Sequence, residues 1–152
     1  MDKKSKLCIA NDHAGYELKV KLIDYIKDKG FEIDDLGCFS PESVDYTEFA
    51  YKAAKSVSDG EYDYGIIICG TGLGVSIAAN KVKGIRAAVC TDSFMAKMCR
   101  EHNDANIMCM GARVIGLGVA KTCVDAFLET EFDGGRHKQR VDNIMKIEKD
   151  EF

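Results

Sequence analysis

Hydrophobic and polar positions change period repeatedly along this chain, and each change marks an element. Leu7 to Asn11 opens with a wholly apolar run, the pattern of a short strand buried on both faces. Next, Leu18, Leu22, Tyr25 and Ile26 recur on one helical face, with Lys19, Asp24, Lys27 and Asp28 opposite. This predicts a helix to about Lys29, ended by Gly30. Phe31 to Leu36 reads as a second strand, and Gly37 to Ser43 as a loop holding Pro41, the only proline. Asp45 to Ser58 reads as a second helix, closed by Asp59-Gly60. Ile66, Ile67 and Ile68 then form a third strand with Cys69 at its last position. Gly70, Gly72 and Gly74 alternate through a turn, after which Val75, Ile77, Ala78 and Ala79 predict a buried helix to about Lys83. Ile85 to Cys90 gives a fourth strand, and Thr91-Asp92-Ser93 caps a helix to about Glu101. Ile107 to Met110 is the fifth strand, Gly116 to Glu129 the fifth helix, and Arg136 to about Lys149 a last helix after Gly134-Gly135.

Strands alternating with helices imply a parallel sheet covered on both faces and joined by right-handed crossovers. The expected fold is α/β: one doubly wound, Rossmann-like domain over residues 1–152, with a five-stranded sheet and a C-terminal helix. Ligands of such folds bind beyond the carboxyl ends of the strands. Asp12-His13, after the first strand, and Cys69 to Gly74, after the third, both fall on that edge.

Composition narrows the function classes. A hydrophobic share of 46% beside 30% charged residues describes a folded globular chain rather than a disordered one. Net charge −4 argues against nucleic acid as the main partner. No apolar run approaches the roughly 20 residues that cross a bilayer, so no membrane association is expected. Met1 to Lys6 leads straight into a strand instead of a signal sequence, which points to the cytoplasm. Seven cysteines include no C-x-x-C pair, so neither a zinc ribbon nor a thioredoxin motif is supported. Free thiols in a reducing compartment fit this pattern, with Cys8, Cys90 and Cys109 buried in strands. Cys99 and His102 have a loose ligand spacing that does not amount to a metal site.

The candidate chemistry centres on Cys69. Strand, glycine turn and helix together aim backbone N–H groups and a positive helix end at one small volume. A thiol placed there is where the thiolate is favoured, so Cys69 is set to act as base or nucleophile rather than as a small buried hydrophobe. Asp12 reads equally as the N-cap of the first helix or as a substrate contact, and His13 beside it suits a sugar or phosphate. Arg136 and Arg140, four apart, either converge on one anion or share a solvated basic face with Lys138. Arg113 follows the fifth strand, where it either reaches a ligand or pairs with an acid. His102 and Asn103 close the fourth helix on the amino edge of the sheet, far from Cys69 of the same chain. If His102 acts at the Cys69 site, it comes from a second chain.

The segments Asn11-Asp12-His13-Ala14-Gly15, Cys69-Gly70-Thr71-Gly72-Leu73-Gly74, Ile77 to Lys81, Ile85-Arg86-Ala87, Glu101 to Asn106 and Gly134-Gly135-Arg136-His137 resemble, in that order, the ribose-5-phosphate isomerase B family. The likeness covers nearly the whole chain. It implies a homodimeric isomerase that needs no metal or cofactor and interconverts ribose 5-phosphate and ribulose 5-phosphate in the pentose phosphate pathway; whether dimers pair into a tetramer is left open by the sequence. By that resemblance Cys69 moves the proton between C1 and C2, His102 assists opening of the furanose ring, and Thr71 relays a proton or orients the substrate. Gly70, Gly72, Leu73 and Gly74 would hold the enediolate oxygen. Asp12, His13, Asn103, Arg113, Arg136 and Arg140 would bind sugar and phosphate, in a site shared between subunits. Some members use a glutamate after the glycine turn; Val75 stands here, so this chain resembles the cysteine type. Asp45-Tyr46-Thr47 departs from the family, which often has proline third, and Tyr46 is not carried over as a contact.

Two rivals remain open. A sibling isomerase acting on a six-carbon sugar phosphate, galactose 6-phosphate or allose 6-phosphate, would share every motif above. A nucleotide-binding module would use Asp92, about twenty residues past the glycine turn, as its ribose acid. Against it, the turn is G-x-G-x-G, follows the third strand and precedes no Walker lysine.

Overall fold

The computed structural model describes residues 1–152. Five strands, β1 (Leu7–Asn11), β2 (Ile33–Asp35), β3 (Tyr64–Cys69), β4 (Ala87–Val89) and β5 (Ile107–Gly111), form one sheet in the order β2-β1-β3-β5-β4. Every pairing is parallel. The helices are α1 (Tyr16–Asp28), α2 (Tyr46–Ser58), α3 (Leu73–Ala79), α4 (Ser93–Glu101), α5 (Leu117–Glu129) and α6 (Gly135–Glu148), with a 3₁₀ turn over His13–Gly15.

The central strands are apolar throughout because both faces are covered. Ile9, Ile66, Ile68, Met108 and Met110 pack with Leu18, Leu22 and Ile26 of α1, Ala96 and Cys99 of α4, and Val124 and Phe127 of α5. The alternate strand residues Cys8, Ala10, Ile67, Cys69 and Cys109 meet Ala50, Ala53 and Ala54 of α2 and Val75 and Ala79 of α3. This period of two sends Cys69 to the α2–α3 side.

Several boundaries differ from the sequence pattern. The edge strands β2 and β4 keep three residues each, since each has one neighbour to supply a ladder. Helix α3 ends at Ala79, not near Lys83. There the Asn80 amide takes over both backbone groups of Ala87, donating to its carbonyl and accepting from its N–H at 2.8 Å each. Lys19, expected on the polar face of the first helix, is fully buried. Its ammonium reaches the Asp35 carboxylate at 2.9 Å and the Cys38 carbonyl, so it fastens the loop after β2 onto α1. A buried cation is tolerable when it is paired and hydrogen-bonded in this way.

Candidate active site

At the carboxyl edge, β3 delivers Cys69 into a turn that only small residues can form. Gly72 adopts φ +79°, and a β-carbon there would stand 3.0 Å from the Met110 carbonyl carbon. One on Gly111 would stand 2.6 Å from the backbone of Thr71. With glycine at both positions, turn and β5 close together, and Ala112 and Arg113 donate their N–H groups to the Cys69 and Gly70 carbonyls at 2.8 and 3.0 Å.

The Cys69 side chain is 5% exposed, and its Sγ accepts the Gly72 N–H at 3.0 Å. An N–H aimed at sulfur is the contact that a thiolate requires. Burial pushes Cys8 up to about 12 and Cys123 up to about 11, and it raises Cys109 as well, so these stay protonated and inert. The helix beyond the turn has seven residues, so the local N–H groups outweigh the helix dipole as the electrostatic feature here. Leu73 N–H is taken by Thr71 Oγ1 at 3.2 Å. The N–H groups of Gly70, Thr71, Gly74 and Val75 have no partner within the chain, so the turn that follows the sulfur keeps donors for a ligand oxygen.

Asp12 and His13 stand at the end of β1, next to β3. Asp12 is the N-cap of the 3₁₀ turn: its Oδ1 accepts from Ala14 and Gly15 N–H at 2.9 and 3.2 Å. His13 Nδ1 accepts the Val44 N–H at 3.3 Å, which leaves Nε2 to carry the proton of a neutral ring. Arg113 lies across the glycine turn, with its Nη1 and Cδ each 3.4 Å from where a Gly70 β-carbon would be. The guanidinium is exposed and forms no ion pair, so it is free for an anion.

The second cluster is on the amino edge. His102 is the C-cap of α4, and its ring stacks on His137 of α6 with centroids 4.1 Å apart and planes 8° apart. Together with Asn103, Arg136 and Arg140 they line a cleft of about 360 Å³. Arg140 donates to the Arg136 carbonyl at 2.8 Å, and neither arginine is in an ion pair, whereas Lys138 is neutralised by Asp142 at 2.7 Å. The expectation of a three-membered basic face thus reduces to two free guanidinium groups. Desolvation first, then the charges of His102 and Arg136, hold His137 below its ordinary value. His102, Asp133 and His137 bring ligand atoms within 4.8 Å of one another. Stacked rings point their lone pairs in parallel rather than at one ion, and two arginines flank them, so the donor set does not suit a cation.

Cys69 and His102 are not brought together within one chain. The Gly65 N–H bonds to the Asn106 carbonyl at 2.9 Å, which fixes the His102 turn at the start of β3. Cys69 ends that strand four residues on, about 13 Å away. Two residues outside the sequence-based set lie against these clusters. Tyr46, the first residue of α2, sets its ring against Gly74, with ring carbons 2.8 Å from the position of a β-carbon. In the sequence it stood in the Asp45-Tyr46-Thr47 segment, whose departure from the family pattern kept it from being carried over as a contact. His137 was visible only as the neighbour of Arg136.

Fold and clusters together describe a doubly wound α/β protein whose thiol, free amides and unpaired arginines suit a small anionic ligand. The family model described as Ribose/Galactose Isomerase matches residues 7–144. Ribose-5-phosphate isomerase B of Escherichia coli is 47% identical over 94% of this chain and 96% of its own length. Among solved structures, ribose-5-phosphate isomerase B of Clostridium thermocellum superposes with a TM-score of 0.94 at 57% identity, covering 95% of this chain and 98% of its own. The Mycoplasma genitalium enzyme, solved with bound ribulose-5-phosphate, gives 0.91 at 40% identity, covering 95% and 96%. The chain belongs to the ribose/galactose isomerase family.

Proposed function

We propose that this protein is a ribose-5-phosphate isomerase, interconverting ribose 5-phosphate and ribulose 5-phosphate through an enediolate in the pentose phosphate pathway. The observation that carries the reading is Cys69 under an N–H donor, followed by the unpartnered amides of the glycine turn at the end of β3. Its relatives of that name across nearly the full chain support the substrate.

In this mechanism the Cys69 thiolate takes the C2 proton of the open-chain aldose. The electron pair becomes the C1–C2 double bond, and negative charge gathers on O1. The amides of Gly70, Thr71 and Gly74 are suited to receive that charge, an interaction whose loss typically costs about 3 kcal/mol per donor. The O2 hydroxyl proton passes to O1 with Thr71 as relay, and the Cys69 thiol returns a proton to C1. His102 opens the furanose beforehand. Asn103, Arg113, Arg136, Arg140, Asp12, His13 and Tyr46 bind sugar and phosphate.

The two clusters of one chain are too far apart for one pentose phosphate, so the reading requires a homodimer in which each site takes Cys69 from one chain and His102 from the other. Exposed Leu73 and Ile77 near the turn, and Ile144 and Ile147 on α6, offer apolar surface for such pairing. No helix is long and apolar enough to cross a membrane.

The family description includes galactose, which keeps a six-carbon substrate as the second reading. Initial rates on ribose 5-phosphate, galactose 6-phosphate and allose 6-phosphate test both. The pentose should have the highest kcat/KM. A hexose phosphate in first place would replace it, and NADH or ATP binding without any isomerisation would overturn the assignment.

A further inference from the structure

Two arginines converge on the turn that carries His102 and Asn103, and neither belongs to the site. Arg86, just before β4, donates from Nε to the carbonyls of Asn103 and Asp104 at 3.1 and 3.0 Å. Its Nη2 reaches the Asp104 carbonyl at 2.7 Å and Oδ2 at 3.2 Å. From the other side, Arg100 donates to Asp104 Oδ1 at 2.9 Å and to the Ala105 carbonyl at 2.6 Å. Arg100 is itself fixed, 2% exposed, with its guanidinium carbon 4.8 Å from the Tyr64 ring centre and 5.8 Å from that of Phe127.

Asp104 sits at φ +45°, a left-handed conformation that a non-glycine residue holds only when its surroundings impose it. Two planar forks on one carboxylate and three successive carbonyls supply that imposition. Arg86 also brings Nη1 to 3.5 Å from Met145 Sδ on α6, the helix bearing Arg136 and Arg140.

We propose that Arg86 is a positioning residue for the isomerisation: with Arg100 it holds Asp104 in the left-handed turn and so fixes His102 and Asn103 opposite the α6 arginines. This rests on the reading of His102 as a group that meets the substrate. A fork is required rather than a charge, because Arg86 serves the Asn103 carbonyl and both acceptors of Asp104 together.

The test is a double-mutant cycle with Arg86→Lys and His102→Ala, measuring kcat/KM on ribose 5-phosphate beside amide hydrogen exchange. Arg86→Lys alone should lower kcat/KM about tenfold, and less than about twofold in the His102→Ala background, as expected of residues in one network. The amides of His102, Asp104 and Ala105, which bond to Met98, Arg100 and Cys99, should exchange faster while the strands keep their protection. Equal losses in both backgrounds, or unchanged exchange in the turn, overturn the proposal. Full activity of His102→Ala removes the site reading beneath it, and the proposal with it, whatever the exchange shows. Should Arg86→Lys not fold, Asp104→Asn tolerates the left-handed backbone and removes the shared carboxylate, with the same pattern expected.

Discussion

The Tyr46 ring lies so close to Gly74 that a β-carbon there would stand 2.8 Å from two of its ring carbons. Glycine at 74 is therefore required by the tyrosine rather than by its own backbone. The tyrosine is 40% exposed, so its ring has somewhere to go. Gly74→Ala should swing Tyr46 out of the site, lowering kcat/KM several-fold while leaving Tm nearly unchanged. Gly111→Ala should behave oppositely, because there the obstacle is the Thr71 backbone at 2.6 Å. A destabilisation of about 1–3 kcal/mol is expected in denaturant unfolding. Equal effects of the two substitutions on stability would contradict this account of the turn.

The His137 ring is held below its ordinary value by desolvation and by neighbouring positive charge. A bound phosphate reverses the charge contribution, so inorganic phosphate should raise the His137 pKa and be accompanied by proton uptake near neutral pH. Without ligand the sign is the opposite for stability. A histidine depressed in the folded state binds fewer protons than in the unfolded chain, so stability present above about pH 6.5 declines as pH falls through the folded value. An NMR titration of the histidines with and without phosphate reads the shift. An unchanged His137 would remove the anion from the His137–Arg136–Arg140 cleft.

Much of this was legible in the chain because the signals are local. Buried-strand runs, the Gly30 stop and the Asp92 cap each express a backbone requirement within a few residues, and the capping bond to Met95 is present at 2.8 Å. The glycine turn was legible for the same reason. What was hidden depends on distant partners. Lys19 reads as a surface residue until the loop at Cys38 folds over it, and α3 stops early because Asn80 has Ala87 to bind. Tyr46 is separated from Gly74 by a helix, a strand and a turn, so no spacing rule connects them. The separation of His102 from Cys69 was readable from topology alone, since a helix returning from β4 must end on the opposite edge.

That separation makes the shared site testable. Cys69→Ala and His102→Ala chains, each strongly impaired but measurable as homodimers, should recover about a quarter of wild-type activity after random subunit exchange. Half of the dimers are then hybrid, each with one intact site of two. Proven exchange without recovery would place both groups in the service of one chain, or of none.

The most direct measurement is turnover of ribose 5-phosphate by Cys69→Ala, with folding verified by its unfolding transition. Removing the base should lower kcat by a factor on the order of 10² to 10⁴, with KM little changed because the phosphate contacts remain. A variant that isomerises at the wild-type rate would contradict the assignment of Cys69 as the proton carrier.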